Sequence, residues 1–211
     1  VGSVRGVEET GQGGIQNVRN GAIASNSILR GSDVFAAQYV FENGLALGTT
    51  VTYGSQYVQS GGSALKTILN TCGYQTIDTY GIASQTTVNQ GGTLTVASNG
   101  LAVDAIVNSG GTLTAQSGAI ISAVTVNNGA ALNLEDVNSL LGNTRVNGAT
   151  VTGGATDDLV SLTSNTTLTV GTNAAMSNLH LNCENANIRI TGTANTLGTI
   201  NLNNVTNMTY D

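Results

Sequence analysis

Three doublets of neighbouring carboxylates are the first candidates for chemistry: Glu8-Glu9, Glu135-Asp136 and Asp157-Asp158. Glycoside cleavage needs one acid to donate a proton and a second to act as base or nucleophile, with the carboxyls roughly 5–9.5 Å apart. Neighbours in an extended chain point to opposite faces, so none of these doublets makes such a pair. His180 is the single histidine, which leaves a nucleophile without a base and a metal without a Cys/His cluster. Within Leu179-His180-Leu181 it reads as an outward-facing strand residue. Cys72 and Cys183 complete the inventory, together with Lys66, Gln85 and Asp104, which are evenly spaced by nineteen residues.

What positions these groups is a repeat. Thr87-Val88-Asn89-Gln90-Gly91-Gly92-Thr93-Leu94-Thr95-Val96 is followed nineteen residues later by Ile106-Val107-Asn108-Ser109-Gly110-Gly111-Thr112-Leu113-Thr114-Ala115. Asn70, Asn89, Asn108 and Asn127 keep the same spacing. A fixed period of this length marks stacked structural units. Inside each unit apolar and polar residues alternate with period two, as in Thr93-Leu94-Thr95-Val96, which is the strand signal. Gly, Thr, Asn and Val are poor helix formers. A short strand with one small apolar face is buried only by stacking on the next unit. The expected fold is therefore all-β, a right-handed parallel β-helix with coils of about 19–20 residues. Residues 1–147 read as regular coils with an N-terminal lead-in, and 148–211 as degenerate coils continuing the same solenoid.

The register extends outward from the clean copies. The core position of Val96 recurs at Val18, Val40, Val58, Ile77, Ala115 and Leu134, with successive spacings of 22, 18, 19, 19, 19 and 19. The long step falls at Gly31-Ser32-Asp33 and the short one before Gly54. Gly14, Gly54, Gly73, Gly92 and Gly111 lie four residues before this position, and a need for positive φ is the expected reason for glycine there. The asparagine column, with Asn147 as a further member, is expected to hydrogen-bond along the axis as a folding device.

This register also decides the chemistry. Asp78 and Glu135 share a phase three coils apart, roughly 14 Å at ~4.8 Å per coil, too far for a glycosidase pair. Cys72 and Cys183 are separated by several coils, whereas bridged Cα atoms lie roughly 4.4–6.8 Å apart, so two free thiols are expected. No catalytic residue, metal ligand or cofactor site is expected, and the chain reads as a non-enzyme. Its net charge of −6 and six scattered basic residues exclude a nucleic-acid or anionic-membrane surface. No apolar run is long enough for a membrane-spanning helix.

The aromatic residues gather instead. Seven of the eight lie between Phe35 and Tyr80. In register, Tyr39 and Tyr57 take the outward position held later by Thr76, Thr95 and Thr114. Tyr74 takes that of Thr93 and Thr112, while Phe35 and Tyr53 share a corner phase with Cys72. The expectation is an aromatic patch grading into a threonine ladder on one side, a contact surface. For Phe35 and Phe41, covering a widened turn near the insertion is an equally good reading.

Lines such as Val107-Asn108-Ser109-Gly110-Gly111-Thr112-Leu113 and Val58-Gln59-Ser60-Gly61-Gly62 resemble the AIDA-type repeats of self-associating autotransporter adhesins of Gram-negative bacteria. The resemblance is clearest from Gly13 to Asn147. It implies a secreted passenger on the bacterial cell surface, exported through the outer membrane. It further implies adhesion to host cells, aggregation and biofilm formation, with a β-barrel translocator following in the full-length protein. The partners it implies are another copy of itself, or a host surface protein or glycan. Some members carry heptose on Ser or Thr, added by a glycosyltransferase. Ser60 and Ser109, beside Gly-Gly corners, are the first acceptors this suggests. A polysaccharide-active β-helix enzyme is the minor alternative.

Overall fold

In the computed structural model, residues 14–31, 36–134, 149 and 208 are described with their side chains, and strands elsewhere by backbone alone. The strands form three parallel sheets of 11, 11 and 10 strands, each strand pairing with those three places before and after it. One coil contributes Leu101–Val103 to the first sheet, Ile106–Val107 to the second and Thr112–Ala115 to the third. The chain is a parallel β-helix, as the period requires. Pairing continues through Leu168↔Ile188↔Met208 in the second sheet and Leu179↔Ile200 in the first.

The expected core register is observed. Val18, Val40, Val58, Ile77, Val96, Ala115 and Leu134 pair in sequence, and all are buried. Short β-branched and aliphatic side chains stack on their own kind, each fully buried one contributing roughly 1.5–3 kcal/mol. The asparagine column hydrogen-bonds as expected: Asn89 Nδ2 donates to Asn70 Oδ1, Asn108 to Asn89 and Asn127 to Asn108, at 2.9, 2.9 and 3.0 Å. Asn147, Phe35, Glu135 and, of the expected insertion, Ser32 and Asp33 fall outside the described residues, as do the side chains of His180 and Cys183. Cys72 is a free, half-buried thiol. It leads into the fourth strand of the third sheet, while Cys183 ends the tenth strand of the first.

One expectation needs correcting. Gly54, Gly73, Gly92 and Gly111 do not have positive φ; the left-handed residues precede them, as with Tyr53, Cys72, Gly91 and Gly110. Glycine is required by close approach instead. A Cβ on Gly73 would lie 2.4 Å from the Val51 carbonyl oxygen of the coil below, and one on Gly92 2.8 Å from that of Leu69. The left-handed corners accept other residues at a cost of roughly 1–2 kcal/mol. Ala123, at φ 53, occupies the phase of Gly48. Ala123→Gly should therefore raise the stability to chemical denaturation by about 0.5–1 kcal/mol.

A second buried column departs from the apolar pattern. Gln16, Gln38, Gln56 and Gln75 point inward at the place taken by Leu94, Leu113 and Leu132 in later coils. All four amides are buried. Gln56 Nε2 donates to Gln38 Oε1 and Gln75 Nε2 to Gln56 Oε1, each at 2.6 Å; Gln38 Nε2 likewise donates to Gln16 Oε1. Eleven residues after each glutamine, a buried hydroxyl donates to its Oε1: Ser27 to Gln16, Thr49 to Gln38, Thr67 to Gln56 and Thr86 to Gln75. Where leucine replaces glutamine, the matching residue becomes apolar, Ala105 after Leu94 and Val124 after Leu113. The interior thus changes chemistry between Gln75 and Leu94 without orphaning a partner.

The first sheet is unusual in the opposite sense. Its central residues, Ala24, Ala46, Ala64, Ala83 and Ala102, are buried, with Ile121 in the same place one coil later, and the leucines, Ile82 and Val103 of the alanine coils face outward. Leu45–Leu47, Ser63–Leu65, Ile82–Ser84 and Leu101–Val103 all bury only the middle residue.

Candidate contact face

The outward side of the third sheet carries Tyr39, Tyr57 and Tyr74 together with Thr76, Thr93, Thr95, Thr112 and Thr114. Tyr39, Tyr57, Thr76, Thr95 and Thr114 form one column by direct pairing. Ser55, Tyr74, Thr93 and Thr112 form the column beside it. The ladder is interrupted at Asn133, whose Nδ2 donates to Thr114 Oγ1 at 3.4 Å.

The coil rise of ~4.8 Å brings stacked aromatics into register, and Tyr39 and Tyr57 lie with ring centroids 4.9 Å apart and planes 14° apart. Phe41 extends the stack, 6.1 Å from Tyr39, and Arg19 covers Phe41 with Cζ 5.6 Å from its centroid. The pair is half-buried by its own stacking, so it presents an edge and two hydroxyls. Tyr74 is 41% exposed. With Tyr57, Thr76 and the small Ser55 it lines a shallow notch in the sheet.

Two further tyrosines stand at left-handed corners, Tyr53 at φ 52 and Tyr80 at φ 62. Tyr53 shares its phase with Gly91 and Gly110, and Tyr80 with Gly61 and Gly118. Aromatic residues in this conformation carry strain, and these two are 46% and 66% exposed. Sequence periodicity located Tyr53 at a corner but gave no sign that Tyr80 is the most exposed aromatic ring among the described residues.

Ser60 and Ser109 are both exposed, but they stand on different edges. Ser60 precedes the first-sheet strand Ser63–Leu65, and Ser109 precedes the third-sheet strand Thr112–Ala115. Among the described residues no three His, Cys, Asp or Glu side chains gather where a metal could bind. Asp78 accepts a hydrogen bond from Gln59 Nε2, and partial burial raises its pKa. Lys66 and Asp104 lie on one corner column either side of Gln85, two coils apart, so they form no catalytic pair.

Residues 80–130 match the family described as adhesin of bacterial autotransporter system, probable stalk. The fold resembles the crystal structure of a hyper-glycosylated TibA fragment, whose modification TibC catalysed. The TM-score is 0.53 and the identity 20%, over 100% of this chain and 97% of that one. No curated protein sequence matches the chain. The structural likeness extends over the whole chain and shows the fold, a parallel β-helix, while the family match lies within residues 80–130. Within those residues the match agrees with the AIDA-type resemblance seen in the sequence.

Proposed function

We propose that this chain is part of a bacterial cell-surface passenger, exported through the outer membrane, that acts by contact rather than catalysis. Its leading activity is self-association between solenoids on neighbouring cells, giving aggregation and biofilm. The observation that carries this reading is the third-sheet face, where a stacked tyrosine pair grades into columns of threonine without a charged residue among them. Hydroxyl contacts of roughly 0.5–1.5 kcal/mol each, repeated coil by coil, give avidity between surfaces. Replacing Tyr39 and Tyr57 by Ala should cut the clumping of beads coated with the chain at least severalfold. The stacking of one aromatic pair contributes about 1 kcal/mol beyond the area it buries, so the variant's stability should fall by at least that much. Clumping equal to that of the parent chain would sink the proposal.

The notch between Tyr57 and Tyr74 favours a second reading, in which a host protein side chain or sugar ring docks there. A glycan array with a Tyr74→Ala control separates the two. The glycosylated state of the TibA fragment supports Ser60 and Ser109 as glycan acceptors for a partner glycosyltransferase. Intact mass after co-expression with such an enzyme tests this, and an unmodified chain counts against it.

A further inference from the structure

We propose that the aliphatic outer face of the first sheet docks on the same face of a second copy, the two solenoids antiparallel about a two-fold axis level with Gln85. It rests on the self-association proposed above for its partner, a second copy, but the contact is a separate one: it pairs two chains and leaves the tyrosine–threonine face free to link the pairs into clumps.

The strands here turn alanine inward and present leucine, isoleucine or valine outward, with Ser63 and Ser84 among them, and none of the four from Leu45 to Val103 carries a charge. At the centre Ile82 is 43% exposed. An uncharged aliphatic stripe running along several coils is what a partner surface looks like before it is covered. The occupant best matched to it is another copy, because only a surface with the same ~4.8 Å repeat meets each ridge in register.

The rims choose the orientation. On the corner column just after these strands, Lys66, Gln85 and Asp104 follow one another coil by coil, all exposed. An in-plane two-fold along the strands keeps this rim over the same rim of the second copy while reversing the order of coils. An axis level with Gln85 then sets each Lys66 opposite the other copy's Asp104, twice over. Parallel solenoids would bring the rim to the opposite corner and lose both pairs. That opposite corner holds Tyr80, two residues before Ile82, 66% exposed and at φ 62. On this axis Tyr80 meets its own counterpart near the middle of the contact, where aromatic anchors concentrate binding energy. A contact there gives a reason for keeping a strained tyrosine where other coils use glycine or asparagine.

Sedimentation of the chain over a concentration series tests the proposal. The parent should dimerise. Ile82→Asp should weaken the dimer at least tenfold, and Lys66→Glu about tenfold, since it sets like charges together twice. Lys66→Glu combined with Asp104→Lys should recover affinity to within a few-fold of the parent. If Ile82→Asp fails to fold, Ile82→Ser replaces it, because Ser63 already occupies that position in the adjacent coil. The Tyr39→Ala, Tyr57→Ala variant should remain dimeric, which separates this contact from the tyrosine face. A parent that stays monomeric, a dimer indifferent to Ile82 and Lys66, or a double reversal that does not recover would each overturn the proposal.

Discussion

Gln56→Leu should destabilise the chain by roughly 2–4 kcal/mol, although it puts a larger apolar group into a buried site. Two donors lose their acceptor: Thr67 Oγ1, which donates to Gln56 Oε1 at 2.9 Å, and Gln75 Nε2, which donates to it at 2.6 Å. Each buried donor left without its partner costs about 1–3 kcal/mol. Gln75 keeps a fallback on Thr67 Oγ1 at 3.3 Å, which holds the total below the sum of two complete losses. The leucine itself regains part of the difference. Adding Thr67→Val removes the stranded hydroxyl and should restore some of the stability. Urea unfolding of the two single variants and the double gives the coupling directly. Equal stability of Gln56→Leu and the parent would mean that these amides contribute no more than a methyl group would.

The reverse exchange should be more damaging. Leu113 lies between Leu94 and Leu132 in its column, and the residue in the hydroxyl position, Val124, is fully buried. An amide placed there by Leu113→Gln has neither the glutamine below nor the threonine beside it, so both its donor and its acceptor are stranded. With the leucine contacts also lost, the expected cost is roughly 3–5 kcal/mol. Leu94→Gln is the informative contrast, because Gln75 is its neighbour and Gln75 Oε1 receives only Thr86. Combined with Ala105→Thr, it adds one rung to the existing ladder and should cost about 1 kcal/mol or less. Thermal unfolding of the three variants under one buffer ranks them. Leu94→Gln with Ala105→Thr falling as low as Leu113→Gln would contradict the account.

Much of the fold was legible in the sequence because a solenoid converts spacing into position. Val96 and its equivalents, the asparagine column and the phase shared by Tyr39, Tyr57 and Thr76 all followed from counting by nineteen. What escaped were the places where side-chain size and polarity run against burial. Glutamine reads as a surface residue, yet Gln38 and Thr49, Gln56 and Thr67, and Gln75 and Thr86 recur as pairs eleven apart, a signal that was present. In Leu101-Ala102-Val103 the natural assumption sends the large residues inward, whereas the register set by Ala24, Ala46, Ala64 and Ala83 turns the alanine inward. The corner glycines were found but misattributed, since close approach between coils is invisible to a pattern read along one strand. On the candidate face, periodicity aligned the tyrosines but could not show that Tyr39 and Tyr57 stack or that Tyr80 protrudes.

The change of interior between Gln75 and Leu94 also bears on how such a chain can grow or shrink by duplication. A coil copied within the glutamine block brings its own hydroxyl and its own amide, so the lengthened protein inherits a complete row. A coil copied within the leucine block is equally self-sufficient. A glutamine coil transposed among the leucines strands an amide, and a leucine coil among the glutamines interrupts the row. The two blocks therefore behave as separate dialects, each free to vary in copy number but unable to borrow units from the other. Length variants of this solenoid are expected to differ by whole coils drawn from one side of that boundary.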